Sequence, residues 1–122
     1  MEDITLPRKI TLDDKEIFDD VVKAILSVLG DDVVKIILYG SVARGDNTWE
    51  SDVDIAVLTK RKLDWREEDN LDRAFTPMDL KYDTLFSILT IDEKRFYEWL
   101  FTIPLYFNID EEGIELWTKK AA

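Results

Sequence analysis

Two short patterns in this chain bring together residue types that do chemistry at a phosphate. One is Gly40-Ser41; the other, separated from Ser41 by ten residues, is Asp52-Val53-Asp54. Gly40 ends an apolar, β-branched run, and without a Cβ it permits a sharp turn and a close backbone approach to a ligand. Ser41 and its neighbours then offer N–H groups and one hydroxyl to a phosphate, and a helix starting near Val42 would aim its positive end at the same place. Asp52 and Asp54 alternate with Val53, Ile55 and Val57, so on a strand both carboxylates point to one face and the apolar residues to the other. Two adjacent carboxylates repel unless a cation sits between them. A pair of Mg²⁺ ions held this way activates an attacking hydroxyl and braces a leaving pyrophosphate. Taken singly, each pattern also fits an ordinary strand-to-helix turn or two solvated carboxylates in an acidic chain. It is the spacing that joins them.

The flanking sequence supplies elements to hold them. Val33 to Tyr39 reads as a buried strand leading into Gly40, and Val53 to Leu58 as a second strand carrying Asp54, with a turn over the polar stretch between. Thr11 is the expected cap of a helix whose apolar residues run from Ile17 to Leu29, with Gly30 past its end. Asp64 and Glu67 are spaced as a capping box for a helix reaching Phe75, interrupted at Pro77. Thr84 to Ile91 reads as a third strand. Asp92 caps a helix containing Phe96, Trp99 and Leu100, Pro104 to Asn108 is a short helical turn, residues 110–113 form a turn, and Ile114 to Trp117 a last strand. This order predicts an α+β fold, a small mixed sheet with helices packed on it.

Composition bounds the rest. The 122 residues suit a single domain over 1–122, and a hydrophobic fraction of 46% is enough for a core. So small a domain suggests that a second subunit or partner completes the site, as a homo- or hetero-oligomer. The net charge of −11 repels a nucleic-acid backbone and favours a nucleotide delivered with a divalent cation, or a basic protein partner. There is no Cys and no His, which excludes disulfides, thiolate zinc sites and Ser-His-Asp triads, and leaves oxygen-held Mg²⁺, with Mn²⁺ as the alternative. The first ten residues lack a signal-peptide pattern and no apolar run approaches the roughly 20 residues of a membrane span, so a cytoplasmic location without membrane contact is expected.

Residues 38–57 (Leu38-Tyr39-Gly40-Ser41-Val42-Ala43-Arg44-Gly45 through Ser51-Asp52-Val53-Asp54 to Val57) resemble the signature of the minimal nucleotidyltransferases (MNT) of the DNA polymerase β superfamily, LYGSxARGxxxxxSDxDxxV, at every fixed position. A weaker resemblance continues through Leu80-Lys81-Tyr82-Asp83 and Glu112-Gly113-Ile114-Glu115-Leu116. The resemblance implies a polymerase β palm-like fold, with Gly40 and Ser41 on the nucleotide phosphates, and Asp52 and Asp54 as ligands of two Mg²⁺ ions. It also implies that Arg44 faces the triphosphate; otherwise Arg44 is a surface ion pair with Asp46 or Glu50. The superfamily usually adds a third carboxylate from a neighbouring strand. Asp83 is the first candidate for it and Asp79 the second. The implied reaction moves a nucleoside monophosphate, AMP from Mg-ATP, to a hydroxyl. Similar small proteins are antitoxins of HEPN-domain toxins, some modifying a toxin tyrosine. The alternative is a catalytically weak module that neutralises a partner by occlusion, with Trp49, Trp65 and Trp117 either at an interface or partly in the core. Aminoglycoside modification fits less well, because such enzymes usually carry an added helical domain.

Overall fold

The computed structural model describes residues 9–120. The reading of residues 1–8 as free of a signal pattern lies outside the described residues.

Helix α1 spans Lys15–Leu29 and buries Ile17, Phe18, Val21, Ile25 and Leu29 along one face. It starts after Asp14, not at Thr11. The Asp14 carboxylate accepts the Thr11 N–H at 2.7 Å and the Thr11 hydroxyl accepts the Asp13 N–H at 3.3 Å, so these polar side chains form a turn that delays the helix. Gly30 ends it at φ 55°. Strand β1 (Val33–Tyr39) leads into the one-turn helix α2 (Gly40–Arg44), and β2 (Val53–Thr59) follows the polar loop.

Helix α3 spans Trp65–Tyr82, opened by the capping box in which Asp64 accepts from the Glu67 N–H at 2.9 Å and Glu67 accepts from the Asp64 N–H at 3.1 Å. It runs straight through Pro77, where the sequence suggested an interruption. Buried Leu71, Phe75 and Met78 form one apolar stripe on both sides of the exposed proline, and that packing outweighs one lost backbone bond. Strand β3 (Phe86–Asp92) consequently begins two residues later than expected. Asp92 caps α4 (Glu93–Glu98) by accepting the Lys94 N–H, but α4 stops before Trp99 and Leu100. Helix α5 (Pro104–Glu112) is longer than the expected turn and absorbs residues 110–112, because buried Ile109 anchors its last turn. Strand β4 is Ile114–Thr118.

The strands form one sheet in the order β3-β2-β1-β4, with β2–β3 parallel and the other pairs antiparallel. It is a mixed α+β sheet, as the element order predicted. One core lies beneath α1 and α3, around Val21, Ile25, Ile36, Leu38, Ile55, Val57, Leu71 and Phe75. A smaller one, of Ile37, Ala56, Leu58, Ile91, Phe96 and Ile109, joins the opposite sheet face to α4 and α5. Fully burying Phe75 or Phe96 contributes on the order of 1.5–3 kcal/mol each. Because β2 is covered on both faces, its register is fixed. No helix among the described residues is long and apolar enough to cross a membrane.

Candidate active site

Register sets the site. Asp54 stands opposite Tyr39 of β1 and beside Ser87 of β3. By strand alternation it shares a face with Ala56 and Leu58, the face that packs on α4 and α5. Asp52, exposed just before the strand, continues that parity. At this end of the sheet β1 finishes in Gly40 while β2 and β3 begin, so the two sequence patterns meet. A Cβ added at Gly40 would overlap Oδ2 of Asp54 and stand 3.3 Å from its Cγ, and Gly40 holds φ +76°, where side chains are disfavoured. Gly40 is therefore required both by its turn and by the carboxylate beside it.

Burial pushes the half-buried Asp54 carboxyl above its usual range. Asp52 pushes it the same way and Arg44 opposes both. Burial, and then the charge of Asp54, raise the Tyr39 phenol likewise. The Ser41 carbonyl accepts the N–H groups of Gly45 and Asp46 at 2.9 and 3.1 Å, closing α2, while the Ser41 hydroxyl makes no hydrogen bond among the described residues. The loop that follows is pinned at both ends. Buried Asn47 donates to the Ile10 carbonyl at 2.8 Å, and the Ser51 hydroxyl accepts the Thr48 N–H at 2.9 Å directly ahead of Asp52.

Arg44 forms ion pairs with Asp46 at 3.1 Å and with Glu112 of α5 at 2.9 Å. The first matches a partner anticipated from the sequence; Glu112 replaces Glu50 as the second. Asp83 does not lie on β3. It is the exposed, left-handed residue that ends α3 (φ 48°), three positions before the strand, beside Thr48, Trp49 and Ser51. Asp79 is committed elsewhere, its Oδ1 accepting the Phe86 N–H at 3.0 Å to start β3. Among the described residues no three carboxylates converge to hold a cation. The β3 residue in register with Asp54 is the exposed Ser87.

The sequence reading missed Ser87 and Glu112. Ser87 has no local signal apart from its place in the strand alternation, and Glu112 was visible only as part of the weak terminal resemblance. Trp49 and Trp65 are exposed, whereas Trp117 packs half-buried against the larger core.

The donors suit a hard cation. Asp52 and Asp54 supply adjacent carboxylate oxygens on one face, and a positive charge between them offsets both the burial of Asp54 and its repulsion by Asp52.

The chain is 39% identical over 72 residues to a protein of Methanocaldococcus jannaschii provisionally named a protein adenylyltransferase, covering 59% of this chain and 73% of that one. A second protein of that organism, with the same provisional name, is 30% identical over 105 residues, covering 84% of this chain and 96% of the relative. In three dimensions the chain resembles one chain of the solved complex of tri-AMPylated Shewanella oneidensis HEPN toxin with MNT antitoxin, at a TM-score of 0.56 and 18% identity over 86% of this chain and 72% of that one. This is a likeness of fold. The family described as polymerase beta, nucleotidyltransferase matches residues 21–121, which include the whole Gly40–Asp54 site, and the chain belongs to that nucleotidyltransferase family.

Proposed function

We propose that residues 1–122 act as one nucleotidyltransferase domain that moves AMP from Mg-ATP to a hydroxyl of a protein acceptor, a tyrosine of a HEPN-type toxin partner. The observation that carries this reading is the contact between the two halves of the motif: Gly40 is packed so tightly on Asp54 that no side chain fits between them. The adenylyltransferase names of the two relatives support the nucleotide and the protein acceptor, and the AMPylated toxin in the structural neighbour supports the partner class.

In the transfer, the acceptor oxygen bonds to the α-phosphorus, the bond to the β,γ-pyrophosphate breaks, and the acceptor proton leaves to water. Gly40 and Ser41 hold the phosphates by backbone N–H groups and the Ser41 hydroxyl. Arg44 turns its guanidinium fork from Asp46 and Glu112 to the triphosphate. Asp52 and Asp54 would hold the divalent cations, two Mg²⁺ or Mn²⁺ in their place, which would supply neutralisation of the phosphate charge. Catalysis is then positioning and charge neutralisation, with no covalent protein intermediate. Asp83, the third carboxylate anticipated from the sequence, stands outside this pair, and the reading assigns the transfer to Asp52 and Asp54. A cytoplasmic, hetero-oligomeric setting fits the proposed toxin partner.

One observation favours a second reading, a module that neutralises its partner by occlusion. The stretch from α4 into α5 exposes Tyr97, Trp99, Phe101, Leu105 and Phe107, and exposed apolar patches of this kind mark interaction surfaces. Incubation with Mg²⁺, ATP labelled at the α-phosphate and lysate of the host separates the two. Transfer of label by the native chain, lost in Asp52→Asn and Asp54→Asn, is the expected result. Absence of transfer by the native chain, with partner binding retained, sinks the enzyme reading and leaves the module.

A further inference from the structure

A second cleft, of about 390 Å³, lies at the far end of the sheet from Asp54. It sits where the parallel strands β2 and β3 finish, at the register pair Thr59 and Asp92. That is five residues along β2 from Asp54, about 16 Å at the rise of an extended strand. The carboxyl ends of parallel strands are a common place for α/β sheets to bind ligands, and the volume is within the range of small-molecule sites.

The charges lining this cleft are unevenly satisfied. Its carboxylates have donors: Glu68 accepts from the Thr90 hydroxyl at 3.4 Å, and Asp92 from the Lys94 N–H at 3.2 Å. Its cations, Lys62 and Arg95, make no ion pair among the described residues. Among the described residues Arg95 uses only its Nε, on the Tyr106 hydroxyl at 3.4 Å, and lies 5.8 Å from the Trp99 ring centroid. The neighbouring Arg61 shows the contrast, since it is paired with both Asp32 at 2.9 Å and Glu67 at 2.5 Å. Among the described residues the cations in ion pairs are Arg44, Arg61, Arg73, Lys81 and Lys94. Two that lack such a pair and line the same cleft leave a guanidinium edge and an ammonium for an anion. The carboxylates beside them disfavour a bare polyanion but accept hydrogen bonds from hydroxyls.

We propose that this cleft binds a small hydroxylated phosphate ester, a sugar phosphate in class, with the phosphate on Lys62 and Arg95 and the hydroxyls donating to Glu68 and Asp92. The site is separate from the Gly40–Asp54 centre and stands whether or not that centre transfers AMP.

The test uses the whole chain, ribose 5-phosphate and inorganic phosphate as probes, and backbone amide NMR shifts as the readout. Ribose 5-phosphate is expected to give saturable shifts at Thr90, Ile91, Asp92 and Arg95. Lys62→Ala and Arg95→Ala are each expected to weaken it about tenfold, the size of one charge-assisted hydrogen bond. Lys94→Ala removes the same charge from a lysine paired with Glu98 at 3.9 Å and is expected to change affinity less than about twofold. Three results overturn the proposal: no saturable shift, equal affinity for inorganic phosphate, or an equal loss in Lys94→Ala. Shifts that centre on Gly40 and Ser41 instead also overturn it. Matching thermal unfolding of the variants excludes a folding defect as the cause of any loss.

Discussion

Gly40→Ala tests the site most directly, because Gly45 provides a built-in control. Both glycines hold left-handed backbone, φ +76° at Gly40 and φ +81° at Gly45, and placing a side chain there costs roughly 1–2 kcal/mol. For a domain of this size that lowers Tm by about 4–8 °C in either variant. The variants differ in what the new Cβ meets. At Gly45 there is nothing within 4 Å, whereas at Gly40 the methyl overlaps Oδ2 of Asp54. That oxygen ends a short side chain, so the carboxylate swings aside and the backbone stays. The clash therefore falls on function more than on stability. Moving a reacting group by about 1 Å costs on the order of a hundredfold, so Gly40→Ala should lose about that much in transfer of α-labelled AMP and in Mn²⁺-dependent ATP binding. Gly45→Ala should stay near native in both. Thermal unfolding and titration calorimetry on the two variants give the comparison. Equal nucleotide binding by Gly40→Ala and Gly45→Ala would refute the claim that Asp54 needs the empty space beside Gly40.

Gly113→Ala is a purely steric case: its φ of −66° is ordinary, but a Cβ there overlaps the Ile109 carbonyl and the Ile37 Cγ2, so denaturant unfolding should show a loss of about 1–3 kcal/mol. Glu112→Gln removes one of the two carboxylates holding Arg44; stability should change by less than about 1 kcal/mol, as for any exposed pair, while ATP affinity rises because Arg44 is freer to meet phosphate. The Arg61 guanidinium, with help from the Asp64 N–H, holds the Glu67 carboxyl down to about 2 from an ordinary 4.5. The stabilisation from this pair is complete above pH ~4.5 and lost as pH falls towards ~2. Glu67→Gln should flatten acid unfolding across that window, and added salt should shrink its difference from the native chain.

The parts of this fold that rest on local chemistry were legible in the sequence. The Asp64–Glu67 capping box, the Asp92 cap, Gly30 at the end of α1, and the alternation around Asp54 each follow from side chains within a few residues of one another. The misplaced boundaries were decided by contacts distant in sequence. Pro77 does not end α3, because Leu71, Phe75 and Met78 pack on one continuous face. Residues 110–112 are helical because Ile109 is buried beneath the sheet. The same division holds for the site. Gly40, Ser41, Asp52 and Asp54 form a pattern readable along one stretch of chain. Ser87 gains meaning only from its register with Asp54, and Glu112 only from an ion pair reaching 68 residues along the chain to Arg44. Asp83 is a candidate only through its position just ahead of the expected third strand, and it stands at the left-handed end of a helix.

The missing Cβ at Gly40 also constrains the order in which a lineage could lose this activity. While Asp54 is present, nearly every replacement at position 40 meets its carboxylate, so selection keeps the glycine for the sake of the aspartate. Once Asp54 shortens to alanine or glycine the overlap disappears, and only the left-handed φ still restricts position 40. Asparagine, which tolerates that backbone better than other side chains, is then the first substitution to become acceptable. Descendants that retain the fold for docking alone should therefore show Asp54 replaced before Gly40, with asparagine at position 40 as the mark of a transfer centre already abandoned.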